Sequence, residues 1–320
     1  MIDTASPATA PGAFVHPALF YRDPEEYTAG VGDFVRTALA ADEPVLVAVP
    51  GPSLEALRRY LGSDADHIDA VDMTELGRNP GRILAALQGF ADRHPGRTAR
   101  IVGEPIWPGR SRAEVLEATR HEALINTAFA HRSATILCPY DTGALAPEVI
   151  ADARRTHPTL IESGRELASP AYTDAAVVCA DCDVPLTEPA AEAVLVDYAA
   201  GRLADVRGHA ESWARRTALD AGRRDDLVLA VSEAAANSVA HGGGKGRLRL
   251  WTTPAGDVVA EVSDDGRLRD PLAGRSRPAL ASGNGGRGLW MIHQLCDLVE
   301  VRALDTGLTL RLHMTINRRS

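Results

Sequence analysis

The stretch Val231-Ser232-Glu233-Ala234-Ala235-Ala236-Asn237-Ser238-Val239-Ala240-His241-Gly242 decides how the second half of the chain is read. It is rich in alanine, free of proline and followed by glycines, which predicts a helix with a defined C-terminal stop. Glu233 and Asn237 stand four residues apart and so project from one helix face, one turn from each other. An Asn amide oxygen suits Mg, an ion that keeps several waters and takes few protein ligands. A carboxylate one turn earlier can hold a magnesium-bound water or accept the proton of an attacking hydroxyl. The same residues also fit a solvated helix flank, so the neighbouring segments must discriminate.

Downstream, Val259-Ala260-Glu261-Val262-Ser263-Asp264-Asp265-Gly266 is strand-like and runs into acidic turn residues. A carboxylate fixed at a strand end, such as Asp264, can accept a hydrogen bond from the adenine amine, while Gly266 lets the base approach the backbone. An Asp-Gly pair also closes ordinary hairpins. Further on, Gly283-Asn284-Gly285-Gly286-Arg287-Gly288-Leu289-Trp290-Met291-Ile292 sets glycines before an apolar helix. Its backbone N–H groups can face a phosphate chain, the helix dipole favours negative charge there, and Arg287 adds a cation. This is neither the GxxxxGK[ST] of a P-loop nor a Rossmann turn.

Around these segments the pattern predicts a strand over Ala193 to Tyr198, helices over Leu203 to Ala218 and Arg224 to Ala240, and strands over Gly246 to Thr252 and Asp257 to Ser263. A helix over Gly288 to Cys296 and strands over Leu298 to Ala303 and Leu308 to His313 complete it. Helices grouped with hairpin-like strands predict an α+β two-layer sandwich with a mixed sheet. From Phe14 to about Thr156 short apolar runs instead alternate with amphipathic segments, which predicts an α/β domain with a parallel sheet covered on both faces. The expected boundaries are a disordered lead-in over 1–13, a first domain over 14–163, a linker over 164–189 and a second domain over 190–320.

A chain of 320 residues with 45% hydrophobic content suits two cores, and its formal charge of -9 argues against a broad grip on nucleic acid. The N-terminus lacks the basic and apolar segments of a signal peptide, and no run approaches the roughly 18 apolar residues needed to span a bilayer. A cytoplasmic protein without a membrane or direct nucleic-acid partner is expected. Cys138, Cys179, Cys182 and Cys296 include one CxxC pair without a second pair to complete a zinc set, so incidental thiols are favoured over metal or redox work.

A helix with E-x-x-x-N, a strand with D-x-G and then G-x-G-L, in that order, resembles the N, G1 and G2 boxes of the GHKL superfamily. AVSEAAANSVAHG and GGRGLWMI are most similar to its anti-sigma-factor serine kinase branch. The resemblance implies a Bergerat-type fold that binds ATP, with Asn237 on Mg, Glu233 as the catalytic carboxylate, Asp264 with Gly266 at adenine, and Gly285, Gly286, Arg287, Gly288 and Leu289 at the phosphates. It also implies a Ser or Thr acceptor on an antagonist protein, a sigma factor or its regulator as partner, and a homodimer. The segment Arg267 to Ser282 is short for the family's ATP lid and lacks a second clean glycine box, so turnover is less firmly implied than binding. Two alternatives stay open: a non-catalytic ATP-binding module that sequesters a sigma factor, and an atypical histidine kinase using His209. His241 reads as a capping or packing residue.

The first half has no Walker lysine. Its His16 to Tyr21 and Glu25-Glu26-Tyr27 segments resemble a MEDS sensory domain, as do Glu104-Pro105-Ile106-Trp107-Pro108-Gly109-Arg110, Glu122 to Asn126 and Cys138-Pro139-Tyr140-Asp141. That implies a RecA-like, non-hydrolysing fold with a small-molecule ligand. Glu104 and Asp141 follow predicted strands, where open α/β sheets place ligands. With His16, Trp107, Arg110 and Tyr140 they form the expected sensor pocket. Structural ion pairs and core packing account for the same residues equally well.

Overall fold

The computed structural model describes residues 13–189, 192–278 and 286–316. Gly285 and nearly all of the expected disordered lead-in therefore lie outside the described residues. The chain divides into two compact units: Met1–Glu75, Ala86–Gly109 and Ile125–Ala175 form the first, and Leu76–Ala85, Arg110–Leu124 and Ala176–Ser320 the second.

The first unit is built on one sheet of β1 (Phe14–Val15), β2 (Pro17–Tyr21), β3 (Val45–Val49), β4 (Asp69–Asp72), β5 (Ala99–Gly103), β6 (Ala134–Asp141), β7 (Thr159–Glu162) and β8 (Arg165–Ala168). The order is β4-β3-β5-β6-β2-β7-β8, with β1 beside β6. The strands pair in parallel except β7 with β8. The helices in this half of the chain are α1 (Pro24–Ala40), α2 (Gly51–Leu61), α3 (Met73–Leu76), α4 (Ile83–Asp92), α5 (Arg112–Ala128), α6 (Pro147–Thr156) and α7 (Ala175–Asp181).

Strand parity explains the continuous apolar runs. Val45, Val47 and Val49 join Leu19, Tyr21, Val102 and Leu137 in a core with Val31 and Val35 of α1 and Leu54 and Leu57 of α2. The intervening Ala18, Phe20, Leu46, Ile101, Ile136 and Cys138 are buried on the opposite face. Both faces are dry, as a parallel sheet demands. Asp23 starts α1 by accepting from the N–H groups of Glu25 and Glu26 at 3.0 and 2.8 Å. The β7–β8 hairpin was not expected from the sequence. Its second strand is four exposed residues, and its turn places Ser163 and Gly164 at φ 49° and 72°.

The second unit carries β9 (Val194–Ala199), α8 (Leu203–Ala214), α9 (Ala221–His241), β10 (Lys245–Thr252), β11 (Val258–Asp264), α10 (Arg287–Leu295), β12 (Leu298–Leu304) and β13 (Gly307–Met314). Its sheet order is β12-β13-β11-β10-β9. The expected mixed sheet is corrected here: every pairing among the described strands is antiparallel. Short connections make β10–β11 and β12–β13 hairpins, and hairpins enforce antiparallel pairing.

One face of this sheet, with Leu248, Leu250, Val258, Ala260, Val262, Val301 and Leu312, packs on Val206 and Trp213 of α8 and on Leu227, Val231 and Ala235 of α9. The other face is a charged row. Arg249 pairs in register with Glu261, Glu261 with Arg311, and Arg311 with Glu300. Opposite charges across neighbouring strands make this face polar without leaving a buried charge alone. Glu261 accepts from Arg249 at 3.1 Å and from Arg311 at 2.6 Å.

Candidate functional site

The second unit's site forms where α9, the end of β11 and the start of α10 converge. Asp220 caps α9 by accepting from the Arg223 N–H at 2.9 Å. Ala230, Ala234 and Ala235 are buried, which sets Glu233 and Asn237 on a flank of the helix that is only partly covered. The start of α10 closes on that flank because Gly288 has no side chain. A Cβ there would lie 2.7 Å from Oε2 of Glu233 and 3.3 Å from Nδ2 of Asn237.

Asp264 ends β11 beside the last turn of α9. Its Oδ2 accepts from Ser238 Oγ at 2.6 Å and its Oδ1 from the Gly266 N–H at 2.7 Å. Gly242 and Gly266 make this approach feasible. A Cβ at 242 would sit 2.3 Å from Asp264 Cγ, and one at 266 would meet the Gly242 backbone at 2.9 Å and the His241 carbonyl at 3.0 Å. Gly286 precedes α10 at φ 85°, a left-handed conformation that glycine takes without strain.

A cavity of about 210 Å³ opens at this junction, lined by Asn237, Asp264, Gly266, Gly286, Leu289 and neighbours including Leu268, Leu308 and Leu310. The structure thus brings together Glu233, Asn237, Asp264, Gly266, Gly286, Gly288 and Leu289. Arg287 is exposed at the first position of α10. His209 lies away from burial on α8, where its Nδ1 bonds the Asp205 carbonyl at 2.8 Å, and His241 is exposed at the end of α9.

Buried charges hold the elements around this cavity. Glu117 of α5 accepts from Arg275 Nη2 at 2.9 Å and from Arg302 Nη1 at 2.6 Å, and so ties the chain after β11 to the sheet. Gly274, at φ 77°, packs so closely on Leu289 that a Cβ would sit 2.6 Å from its Cγ. The carbonyls at the end of α10 are met by Asn79, which donates to His293 O at 2.9 Å, and by Arg82, which donates to His293, Gln294 and Cys296. A cation at a helix C-terminus also opposes the helix dipole.

The expected sensor residues divide between the units. In the first, Glu104 follows β5, is 4% exposed and accepts from Tyr27 Oη at 3.4 Å. Burial pushes its carboxyl up to about 8 against the opposing hydrogen bonds from Tyr27 and Ser53, and Asp141 raises it further. Asp141 itself closes a turn, accepting from the N–H groups of Gly143 and Ala144 at 2.8 and 3.0 Å. Tyr140 is buried, with its ring 5.8 Å from Phe20 and 5.5 Å from His157. His16 is buried against His157, ring centroids 4.1 Å apart, and bonds Asn126. Trp107 is half-buried. Arg110 belongs to the second unit, where it donates to the Gly77 carbonyl and burial pulls its guanidinium down to about 10.

Residues 15–158 match the family model of the MEthanogen/methylotroph, DcmR Sensory (MEDS) domain, and residues 197–314 match that of the histidine kinase-like ATPase domain. The chain joins these two domains. No curated protein matches it. Among solved structures, 38% of the chain is similar to the RsbU and RsbW domains of Rv1364c from Mycobacterium tuberculosis, at 21% identity and a TM-score of 0.29, covering 32% of that chain. A second similarity, to the SiaB-SiaC complex from Pseudomonas aeruginosa, has 10% identity and a TM-score of 0.30 and covers 38% of this chain and 88% of that one. The match thus spans about a third of the length of the first of these chains.

A histidine kinase-like ATPase domain implies ATP binding, and the cavity at Asn237, Asp264 and Gly286 lies within its matched residues. Within that ATPase domain, reading the sequence missed Ser238, although it directly follows Asn237. Its hydroxyl falls a quarter-turn further round α9, toward Asp264, a direction that becomes meaningful only once β11 is placed. It also missed Glu117, which lies in the MEDS-matched stretch of sequence but belongs to the second unit, where it bonds Arg275 and Arg302. No local pattern marks such a residue. Among the described residues, no helix is long and apolar enough to cross a membrane.

Proposed function

We propose that this chain is a cytoplasmic signalling switch, in which a small-molecule sensor over 14–163, linked through 164–189, governs a GHKL-type ATP- and Mg-binding protein serine/threonine kinase over 190–320. The observation that carries this reading is the close meeting of Gly288 with Glu233 and Asn237 beside the cavity bounded by Asp264 and Gly266. Each portion of a nucleotide finds its complement there. Asp264, already oriented by Ser238 and the Gly266 N–H, has acceptor capacity for the adenine amine. Leu268, Leu289, Leu308 and Leu310 supply apolar surface for the base. The N–H groups at the start of α10 face the phosphates.

The donor set at Asn237 and Glu233 also fits Mg, since both present hard oxygen atoms from one flank of α9. When bound, the ion would neutralise charge on the phosphate oxygens. Glu233 accepts the proton of an incoming Ser or Thr hydroxyl as its oxygen bonds to the γ-phosphorus, the bond from that phosphorus to the β–γ bridging oxygen breaks, and ADP leaves. The acceptor is a hydroxyl on a regulatory protein, a sigma factor antagonist or a related partner, as the resemblance to anti-sigma-factor kinases implies. RecA-like ancestry of the sensor and a homodimeric kinase belong to the same proposal.

The test is thermal denaturation with and without millimolar ATP and Mg. A rise in Tm that Asn237→Ala removes supports the site; no rise in the wild-type chain would sink it. Labelled ATP with candidate antagonist proteins then separates kinase from pure binder, because only the kinase labels Ser or Thr.

A further inference from the structure

Within the first unit, His16, Cys138 and His157 meet on the sheet face opposite α1 and α2. One ligating atom from each lies within 4.8 Å of the others, and all three side chains are buried. From this cluster we infer a binding site for a divalent transition-metal ion of the zinc class, independent of the nucleotide site.

The chain positions are set by the sheet. β2 and β6 are neighbours in parallel register, with Ala18 beside Cys138, and β7 pairs on the other edge of β2, with Pro17 beside Thr159. His16 precedes β2 and His157 precedes β7 by two residues, so two imidazoles arrive at one end of adjacent strands, next to a thiol on the third. No sequence spacing links the three, because they come from separate crossovers of the sheet.

The hydrogen bonds around the two rings are those of metal ligands. Asn126 Nδ2 donates to the Thr156 carbonyl at 2.7 Å, which turns its Oδ1 toward His16. That oxygen lies 3.1 Å from His16 Nδ1 and can only accept, so Nδ1 carries the proton. His157 Nδ1 lies 2.8 Å from the Ala153 carbonyl, which likewise can only accept. In the neutral form of each ring, these bonds make Nδ1 the N–H and leave the Nε2 lone pair for a ligand. A ligating histidine characteristically donates its other N–H to a carbonyl or carboxylate in this way.

The spacing fits as well. His16 Nε2 lies 3.4 Å from Cys138 Sγ. A tetrahedral ion bonded to nitrogen at ~2.05 Å and to sulfur at ~2.3 Å separates those two atoms by roughly 3.5 Å. A thiol–imidazole hydrogen bond would need only one of the histidines. A mixed nitrogen and thiolate set selects zinc-like ions over Mg or Ca, which prefer oxygen.

The experiment is titration of the chelator-treated full-length chain with Co(II), followed by displacement with Zn(II). The expected result is one Co(II) per chain with a thiolate-to-cobalt charge-transfer band, bleached by one equivalent of Zn(II). The band should persist in the Cys179→Ser/Cys182→Ser double variant and vanish in Cys138→Ser, whose circular dichroism and ATP-dependent Tm shift report that it is folded. Asn126→Ala, which keeps all three ligands, should weaken Co(II) binding roughly 10-fold or more. Absence of the band in the wild-type chain, its survival in Cys138→Ser, or unchanged affinity in Asn126→Ala overturns the site.

Discussion

The buried polar groups of the first unit, His16 and Glu104 among them, and the cleft between α9 and α10 in the second are assembled by opposite means. In the first, polar groups are sealed inside a two-faced parallel sheet and satisfied by one another: His16 by Asn126, Glu104 by Tyr27. In the second, polar groups stay half-exposed on a helix flank, and space is made by leaving side chains out at Gly242, Gly266 and Gly288. A site made by enclosure couples its chemistry to folding, since a group such as Glu104, whose carboxyl burial raises, makes the folded state's stability depend on pH. A site made by omission couples its chemistry to ligand binding and leaves folding largely alone. Change at the first should register in stability, and change at the second in nucleotide affinity.

Gly288→Val tests that contrast most severely. The added side chain begins 2.7 Å from Glu233 Oε2, so the ATP- and Mg-dependent rise in Tm should disappear while the Tm without nucleotide moves far less. Equal losses in both measurements would erase the distinction.

The second test is pH. Because burial raises Glu104 to about 8, the folded state holds a proton that the unfolded state has released above the ordinary carboxylate range. Stability associated with Glu104 is therefore full at low pH and lost as pH rises through about 8. Urea denaturation of wild type against Glu104→Gln should show a difference that shifts in favour of the variant by roughly 3 kcal/mol between pH 5 and 8. A parallel pair of curves would place Glu104 in contact with water.

A smaller effect is expected from Ser238→Ala, which removes the 2.6 Å hydrogen bond to Asp264. About 1 kcal/mol of stability should be lost, together with a several-fold weaker nucleotide affinity by calorimetry, because Asp264 loses the donor that orients it. Asp141→Ala should be smallest and confined to folding. Its carboxylate closes one turn through Gly143 and Ala144, worth about 1 kcal/mol, with nucleotide affinity unchanged.

Much of this molecule was legible in residue order. Continuous apolar runs such as Val45 to Val49 announced a sheet dry on both faces, and the i, i+4 spacing of Glu233 and Asn237 placed them on one flank of a helix that forms as expected. These are local properties, since the 2-residue period of a strand and the 3.6-residue period of a helix are written into consecutive positions. Strand direction in the second sheet was misread because hydrophobic pattern is the same for either direction, and only the connections settle it. The meeting of His16, Cys138 and His157, the reach of Glu117 to Arg275 and Arg302, and the turn of Ser238 toward Asp264 were decided by tertiary structure alone. Each joins residues that are distant in sequence or lie on separate elements, and such proximity is set by how sheets and helices pack rather than by any period along the chain.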